Sequence, residues 1–500
     1  MEQRNTTELF IPSNRQRILA KDTNGFCRGL QSLVNLSEPD SRAFDFCRRY
    51  TIENMAYGQL SHFWTSSVLS ACHIEPAALH AMLALTAIHR EHSTQSPLPL
   101  LVEMADAHYN KALGHLRQLS GMAVPQHELV LVVCLLLLTC DVFQTRYGSA
   151  LLHLNNGRRI YQTMQAHRSS WTDLSVLNIP AQACSIQDEL TYMMASIDLQ
   201  STNYGSLRPM FELVTESGGS ANRNITIPQT FSSLDDAWRY MLIIYNKAAH
   251  LVPISTDSGN SQYLRNDVES FIQQGRLLSQ LAAWQAAYEK SAFRSPSSSV
   301  SSEDCLFMCR TSHLQMLQAL VEIAIATCLA SGDEMQYDVY LPRFQTVVSL
   351  AEKIAPLLPA VTFDIGVVQP LFLLCAFCRD PSIRRRAITV LSRAGKEGYW
   401  DSKLVTLCSR EKMLFEEMQA GYVHNPEHYL SQHVDLATLI PRSARYTETW
   451  AFYTNDDMRD LDIMFKRRKL RHGELQPGEQ EWEMFSKRVQ APPVHSRNPH

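Results

Sequence analysis

The chain has no long apolar run, no framework of paired cysteines and no phosphate-cradling glycine loop, and each lack closes off a class of protein. Its longest apolar stretch, Leu129 to Leu138, is about half of what a bilayer span requires. The opening MEQRNTTELFIPSNRQRILAKD lacks the apolar core of a secretory signal. The 12 cysteines are scattered over 500 residues, mostly in apolar settings such as LVVCLLLL around Cys134 and AIATCLA around Cys328. There cysteine acts as a small hydrophobe, not as half of a disulfide scaffold. The expectation is a soluble intracellular chain with reduced thiols and no membrane contact.

Net charge is also low. A formal value of -4 and a pI near 6.5 exert no global pull toward nucleic acid, so any DNA contact would need a local basic patch. No G-x-S-x-G, G-x-x-x-x-G-K-[ST] or G-x-G-x-x-G stands in a strand-turn-helix setting. Gly218 and Gly219 lie in an irregular loop, and the acid pairs Asp235-Asp236 and Asp456-Asp457 suit helix starts or turns. No catalytic residue and no cofactor is assigned, because at no site does enzyme chemistry outweigh a structural role.

What is present is helical periodicity. An apolar content of 45% and a mean hydropathy of -0.18 are ordinary for a globular chain, and 500 residues are ample for a large core. Residues 1–40 read as a mobile polar arm in which Arg4, Arg15, Arg17 and Lys21 nearly cancel Glu2, Glu8 and Asp22. Helices are predicted from Pro76, over Leu100 to Leu119, Glu128 to Phe143, His153 to Met164, and through IQDELTYMMASIDLQ. The Glu128 helix is apolar on every face, which only a position surrounded by other helices satisfies. Further helices follow over Asp235 to Leu251 and Asn266 to Lys290, the latter with Phe271, Leu277, Leu278, Leu281 and Trp284 as its core stripe. Beyond a low-complexity loop at 294–304, helices resume over Cys305 to Leu329 and Val339 to Ile354. A serine-rich stretch at 295–302 in that loop reads as a linker, phosphorylation being the alternative. No fixed-period repeat is visible.

The stretch Gln369 to Leu407 reads as three short helices in a row. Asp380 caps the second, with Pro381 in its first turn, and Asp401 caps the third. Ile383, Ala387, Ile388, Leu391 and Ala394 form the second helix's apolar stripe, with Arg384 and Arg385 beside it and expected to reach water. After Pro441 the pattern changes: Leu461, Ile463 and Phe465 alternate with polar residues, as a short strand or extended segment would. The fold expected is all-α, a multi-helix bundle of stacked helical hairpins with a short extended C-terminal tail. Its organisation is an arm at 1–40, a helical domain at 41–440 and a tail at 441–500.

An apolar helix, then CRDPSIRRRAITVL, then GYWDSKLV resembles the fungal-specific transcription factor domain. A second block agrees: FDFCRRYTIENM, FWTSSVLSAC, EPAALHAMLALTAIHRE, AHYNKALGHL, LVLVVCLLLLTCDVF and ALLHLNNGRRIY follow in the order typical of it. The resemblance spans roughly Phe44 to Ala420. It implies a regulatory region that in related proteins lies downstream of a binuclear zinc-cluster DNA-binding module.

That module needs cysteine thiolates in two close triplets. Here the single C-x-x-C, Cys375 and Cys378, lies in an apolar helix, and Cys27 is alone before Phe44, so no metal site is assigned and these read as packing cysteines. His89 and His92 at a helix end, and His108 and His115 on one helix, lack a third ligand at matching spacing and read as surface or capping residues. The basic run Lys466, Arg467, Arg468, Lys469, Arg471 is the one outstanding charge cluster. It fits nuclear import, or a charged strand edge that discourages pairing.

The expectation is therefore a fungal transcription regulator or co-regulator without its own zinc cluster, responsive to an effector and tied to a secondary-metabolite pathway. It would act through protein contacts with a DNA-bound regulator or a coactivator, as a nuclear protein (alternatively cytoplasmic) and with homo-oligomers allowed. Direct sequence-specific DNA binding is not expected of it. The alternative is a helical protein of the same descent repurposed as an enzyme or binding protein for a small hydrophobic metabolite.

Overall fold

The computed structural model describes residues 36–56, 61–93, 99–120, 126–168, 173–202, 208–215, 225–251, 268–291, 293, 302–329, 333–422, 440–454, 460–468 and 482–491. Most of the expected arm, residues 294–301 of the serine loop, Gly218, Gly219, Lys469 and Arg471 lie outside the described residues.

Helix α1 (Glu38–Phe46) starts at Ser37, whose hydroxyl accepts the Asp40 N–H at 3.3 Å. It runs through a π-helical turn, Cys47–Thr51, into α2 (Ile52–Met55). A second π-helical turn, Phe63–Val68, leads to α3 (Leu69–Ile74). Next come α4 (Pro76–Ser93), α5 (Pro99–Ser120), α6 (His127–Phe143) and α7 (Tyr147–Arg168). As its all-round apolar sequence requires, α6 is buried at every position from Val130 to Phe143, with α4, α5, α7 and α8 (below) packed around it. Each Leu or Val so buried contributes roughly 1.5–3 kcal/mol.

Two short strands flank the next helix. β1 (Val176–Ile179) pairs in parallel with β2 (Glu212–Thr215) across the loops that lead into and out of α8 (Ile186–Ser201). Then α9 (Leu234–Leu251), α10 (Val268–Lys290) and α11 (Ser302–Thr327) pack on one another. Leu277, Leu281 and Trp284 of α10 are buried as predicted, but Phe271 is 52% exposed. Six residues before Leu277, it sits about 120° around the helix from that stripe. Helix α11 joins two cores. Leu314, Leu317, Val321 and Ile325 face the α4–α6 core, whereas Met316, Ala319, Leu320 and Ile323 face a second one.

That second core is formed with α12 (Leu341–Ile354), α13 (Val368–Phe377) and α14 (Pro381–Leu391), while β3 (Val361–Thr362), between α12 and α13, gives its Val361 to the first. After α14 come β4 (Lys396–Glu397), β5 (Trp400–Asp401) and α15 (Ser402–Gln419). The caps fall as predicted: Asp380 accepts the Ile383 N–H at 2.8 Å, and Asp401 accepts the Lys403 N–H at 2.9 Å. The three helices follow in a row, but more than a turn lies between the last two. β4 pairs in parallel with β3 and antiparallel with β5, so a small sheet separates α14 from α15. Gly395 allows that approach, since a Cβ there would lie 2.0 Å from the Ala360 carbonyl oxygen. Gly398 makes the β4–β5 turn at a φ of 51°, open to glycine at little cost.

A further correction concerns α14. Arg384 and Arg385 do not reach water; both are buried. Helices α12, α13 and α15 enclose α14, and α15 supplies carboxylates to both guanidiniums. The tail is also more ordered than a lone extended segment. β6 (Glu448–Tyr453), β7 (Asp460–Arg468) and β8 (Trp482–Gln490) form an antiparallel sheet with β7 in the middle. Leu461, Ile463 and Phe465 of β7 are buried on its inner face. The protein is thus mostly helical, with a small C-terminal strand-containing region.

Candidate functional site: polar clusters buried among the helices

The densest charge cluster lies where α13, α14 and α15 meet. Arg384 donates to Glu416 at 2.7 Å, and Arg379 lies 3.1 Å from Glu416 and 2.8 Å from Glu334, all with buried side chains. The Tyr446 N–H completes the Glu416 carboxylate at 3.0 Å, while Arg379 donates to the Tyr446 carbonyl at 2.9 Å. Burial opposes charge on Glu416, but Arg379, Arg384 and Lys412 together hold its carboxyl below the usual range. Burial, aided by Arg379, pushes the Lys412 ammonium down to about 8. Beside this cluster Arg385 grips Glu417, and Arg445 grips Asp338 with two bonds of 2.8 Å. The arginines of the CRDPSIRRR motif are therefore occupied in joining helices, with Arg386 bonded to Glu352 on the outer side.

A carboxylate also holds the start of α13. Glu397 accepts N–H bonds from Gly366, Val367 and Val368 at 2.8–2.9 Å. These are donors that a helix N-terminus leaves without intrahelical partners. Burial lifts its carboxyl to about 7 even against those three bonds. At the other end of its helix, the Phe143 carbonyl of α6 accepts from His92 at 3.0 Å and from Lys396 at 3.1 Å.

A pocket opens between α8, α9, α11 and the loop before α13, lined by Ser196, Trp238, Arg310, His313 and Asp364 among others. Its volume is about 30 Å³, room for water and far below the roughly 300–1,000 Å³ of a drug-sized ligand site. Burial lowers His313 to about 4, so its imidazole is neutral at physiological pH. Arg310 is ion-paired with Asp235.

The histidines singled out from sequence separate into different surroundings. His89 is buried between Thr51 Oγ1 at 3.0 Å and Asn54 Nδ2 at 2.8 Å. His108 bonds Asp40 through Nε2 at 3.1 Å and meets His80 through Nδ1 at 3.1 Å. His80 stacks on both His108 and His115, and it went unnoticed in the sequence because it stands on the facing helix. A second missed cluster is Tyr109, Asp141, Arg146 and His153. The Tyr109 hydroxyl donates to Asp141 and meets His153 Nε2, both at 3.0 Å. Its signal was Asp141 itself, a carboxylate ending the apolar run LVLVVCLLLLTC. Cys375 and Cys378 are buried, and burial pushes their thiols up to about 11 and about 12. Among the described residues no group of three or more His, Cys, Asp or Glu side chains is arranged to hold a metal ion. No described helix is long and apolar enough to cross a membrane.

The basic run enters β7. Lys466 is buried, its ammonium 4.6 Å from the centre of the Trp482 ring and 3.6 Å from Glu448. Arg467 donates to Glu483 at 2.8 Å. Arg468 ends the strand, and Lys469 and Arg471 fall outside the described residues.

Comparison with known proteins adds two findings. The family described as the fungal specific transcription factor domain matches residues 46–406. The aspercryptin biosynthesis cluster-specific transcription regulator atnN of Emericella nidulans is 32% identical over 114 residues, which cover 23% of this chain and 17% of that relative. No solved structure matches the chain.

Proposed function

We infer the role of this chain from one premise: it belongs to the fungal specific transcription factor domain family, which matches residues 46–406. That match carries the reading that the protein is a fungal transcription regulator. It acts through protein contacts, pairing with a DNA-bound regulator or a coactivator. The buried arginines support this, because the most charged part of the family-like segment is engaged in joining helices. The similarity to a cluster-specific regulator supports control of a secondary-metabolite gene cluster. Such work takes place in the nucleus. Import would fall to the outer end of the basic run, Lys469 and Arg471, since Lys466 and Arg467 are engaged in the sheet.

One observation favours a second reading, binding of a small effector or substrate: His313, Asp364 and Arg310 line a single pocket. At about 30 Å³ that pocket would have to open before it could take a metabolite.

Deleting the gene in its host separates the two. A coherent set of transcripts that rises or falls supports the regulator. Unchanged transcripts with one metabolite lost and its precursor accumulated sink it in favour of an enzyme. Replacing Lys469 and Arg471 with Ala in a fluorescently tagged chain tests the import run, and undiminished nuclear signal removes it.

A further inference from the structure

The C-terminal sheet ends on an open edge. β8 pairs with β7 at all nine positions from Trp482 to Gln490, and among the described residues no strand pairs with its other side. Nine residues is long for a strand, typically about 5–6 and kept short at edges, and a long unpaired edge is a template for another strand. The outer face of the sheet is rich in large apolar side chains. By alternation Trp450, Phe452, Met464, Trp482 and Met484 share it, with Phe452 48% and Met484 52% exposed. Aromatic residues and methionine are the types enriched at protein interfaces.

We propose that a second copy of this chain adds its own β8 antiparallel to this one, giving a continuous six-stranded sheet whose two-fold axis passes through Phe485. Charge complementarity argues for both the occupant and the register. With the axis at Phe485, Glu483 of each copy faces Lys487 of the other, Trp482 faces Arg488 and Met484 faces Ser486. Centring the axis on Glu483 or on Lys487 would set like charges face to face.

The partners these charges already have extend the pattern. Glu483 is bonded to Arg467 at 2.8 Å and Lys487 to Glu411 at 2.5 Å. The two copies thus complete a row that runs Arg467, Glu483, Lys487, Glu411 with alternating sign across the interface. Edge charges deter pairing where like meets like; in this register they select one partner, the same chain reversed. This interface is built from the sheet and Glu411 of α15 and is independent of the regulatory role.

Sedimentation velocity and light scattering on the full chain test it. The wild type is expected to be a concentration-dependent dimer. Lys487→Glu and Glu483→Lys each place two like-charge contacts across the axis and should each weaken the dimer at least about tenfold. An equal mixture of the two variants restores both pairings, since one chain then carries two acids and the other two bases, and should recover the dimer. A wild type that stays monomeric at about 100 µM overturns the proposal, as does a mixture no tighter than its components. Hydrogen exchange on the wild type gives the same answer without substitution. β8 amides should be protected when concentrated and exchange on dilution, and exchange independent of concentration also overturns it.

Discussion

Arg385 and Glu417 meet in a two-point contact, Nη1 to Oε1 at 2.8 Å and Nη2 to Oε2 at 2.9 Å, with side chains only 6% and 1% exposed. The planar guanidinium matches the carboxylate bond for bond, and so ties α14 to α15 in a fixed register. The energetic weight of such a pair lies less in its presence than in the damage done when one charge is left alone in the interior.

Arg385→Met and Glu417→Leu should therefore each cost about 3–5 kcal/mol, and the double variant markedly less than their sum. Urea unfolding of the four proteins gives the coupling energy. Additive losses would mean that the two charges act independently despite their contact.

Local signals were legible in the sequence and distant pairings were not. The caps Asp380 and Asp401 act on residues within three positions, so their chemistry could be read directly. The burial of Arg384 and Arg385 depends on Glu416 and Glu417, 32 residues away, and a one-helix view placed those arginines in water. β3, β4 and β5 have two residues each, too short for any periodicity. β7 showed its alternation, but Trp450, Phe452 and Met484 put large apolar groups on the outer face of β6 and β8 and blurred theirs. Of the histidine cluster, His108 and His115 stood out because they share a helix, whereas His80 entered only through tertiary packing.

Alkali should destabilise the fold through its buried thiols. Burial raises Cys47, Cys134, Cys378 and Cys408 from 9.0 to about 12, and Cys375 to about 11. Below pH 9 these thiols are neutral in both states and their stabilising burial is intact. Above it the unfolded chain ionises first, and each thiol costs about 1.4 kcal/mol per pH unit until its folded value is reached. Lys412, lowered from 10.5 to about 8, and Lys396, also lowered by burial, work the other way, but they are two groups against five. The thermal midpoint, measured under reducing conditions, should fall steeply from pH 9 to 11. A flat profile would mean that the thiols are reached by water.

Acid should act through His89 and His313. Burial lowers both from 6.5 to about 4. A lowered histidine binds its proton more readily when unfolded, so stability is full above pH 6.5 and drains away as the pH falls toward 4. Each contributes about 3 kcal/mol to that loss. Carboxylates such as Glu416, held low by their arginines, add to it at the acid end. His313→Gln keeps a neutral polar group in place and should flatten the profile between pH 6.5 and 4, whatever it costs at pH 7. An unchanged slope would show that His313 takes up its proton equally in both states.

Glu397 offers the sharpest separation of a helix cap from simple packing. Its carboxylate is the acceptor for the Gly366, Val367 and Val368 amides, and it comes from β4, so it fastens the start of α13 to the small sheet. In Glu397→Ala three buried N–H groups lose their acceptor, each at about 1–3 kcal/mol, so a loss of roughly 3–6 kcal/mol is expected after some relaxation. Glu397→Gln retains the size of the side chain and one acceptor oxygen and should fall between the wild type and the alanine variant. Local unfolding should appear first at α13, as faster hydrogen exchange of the Gly366–Val368 amides than of α6. If Glu397→Gln and Glu397→Ala lose equal stability, a single oxygen is of no use there and the paired oxygens of the carboxylate are what the helix end requires. If neither loses any, water reaches the helix end and replaces the side chain, and Glu397 does not anchor α13.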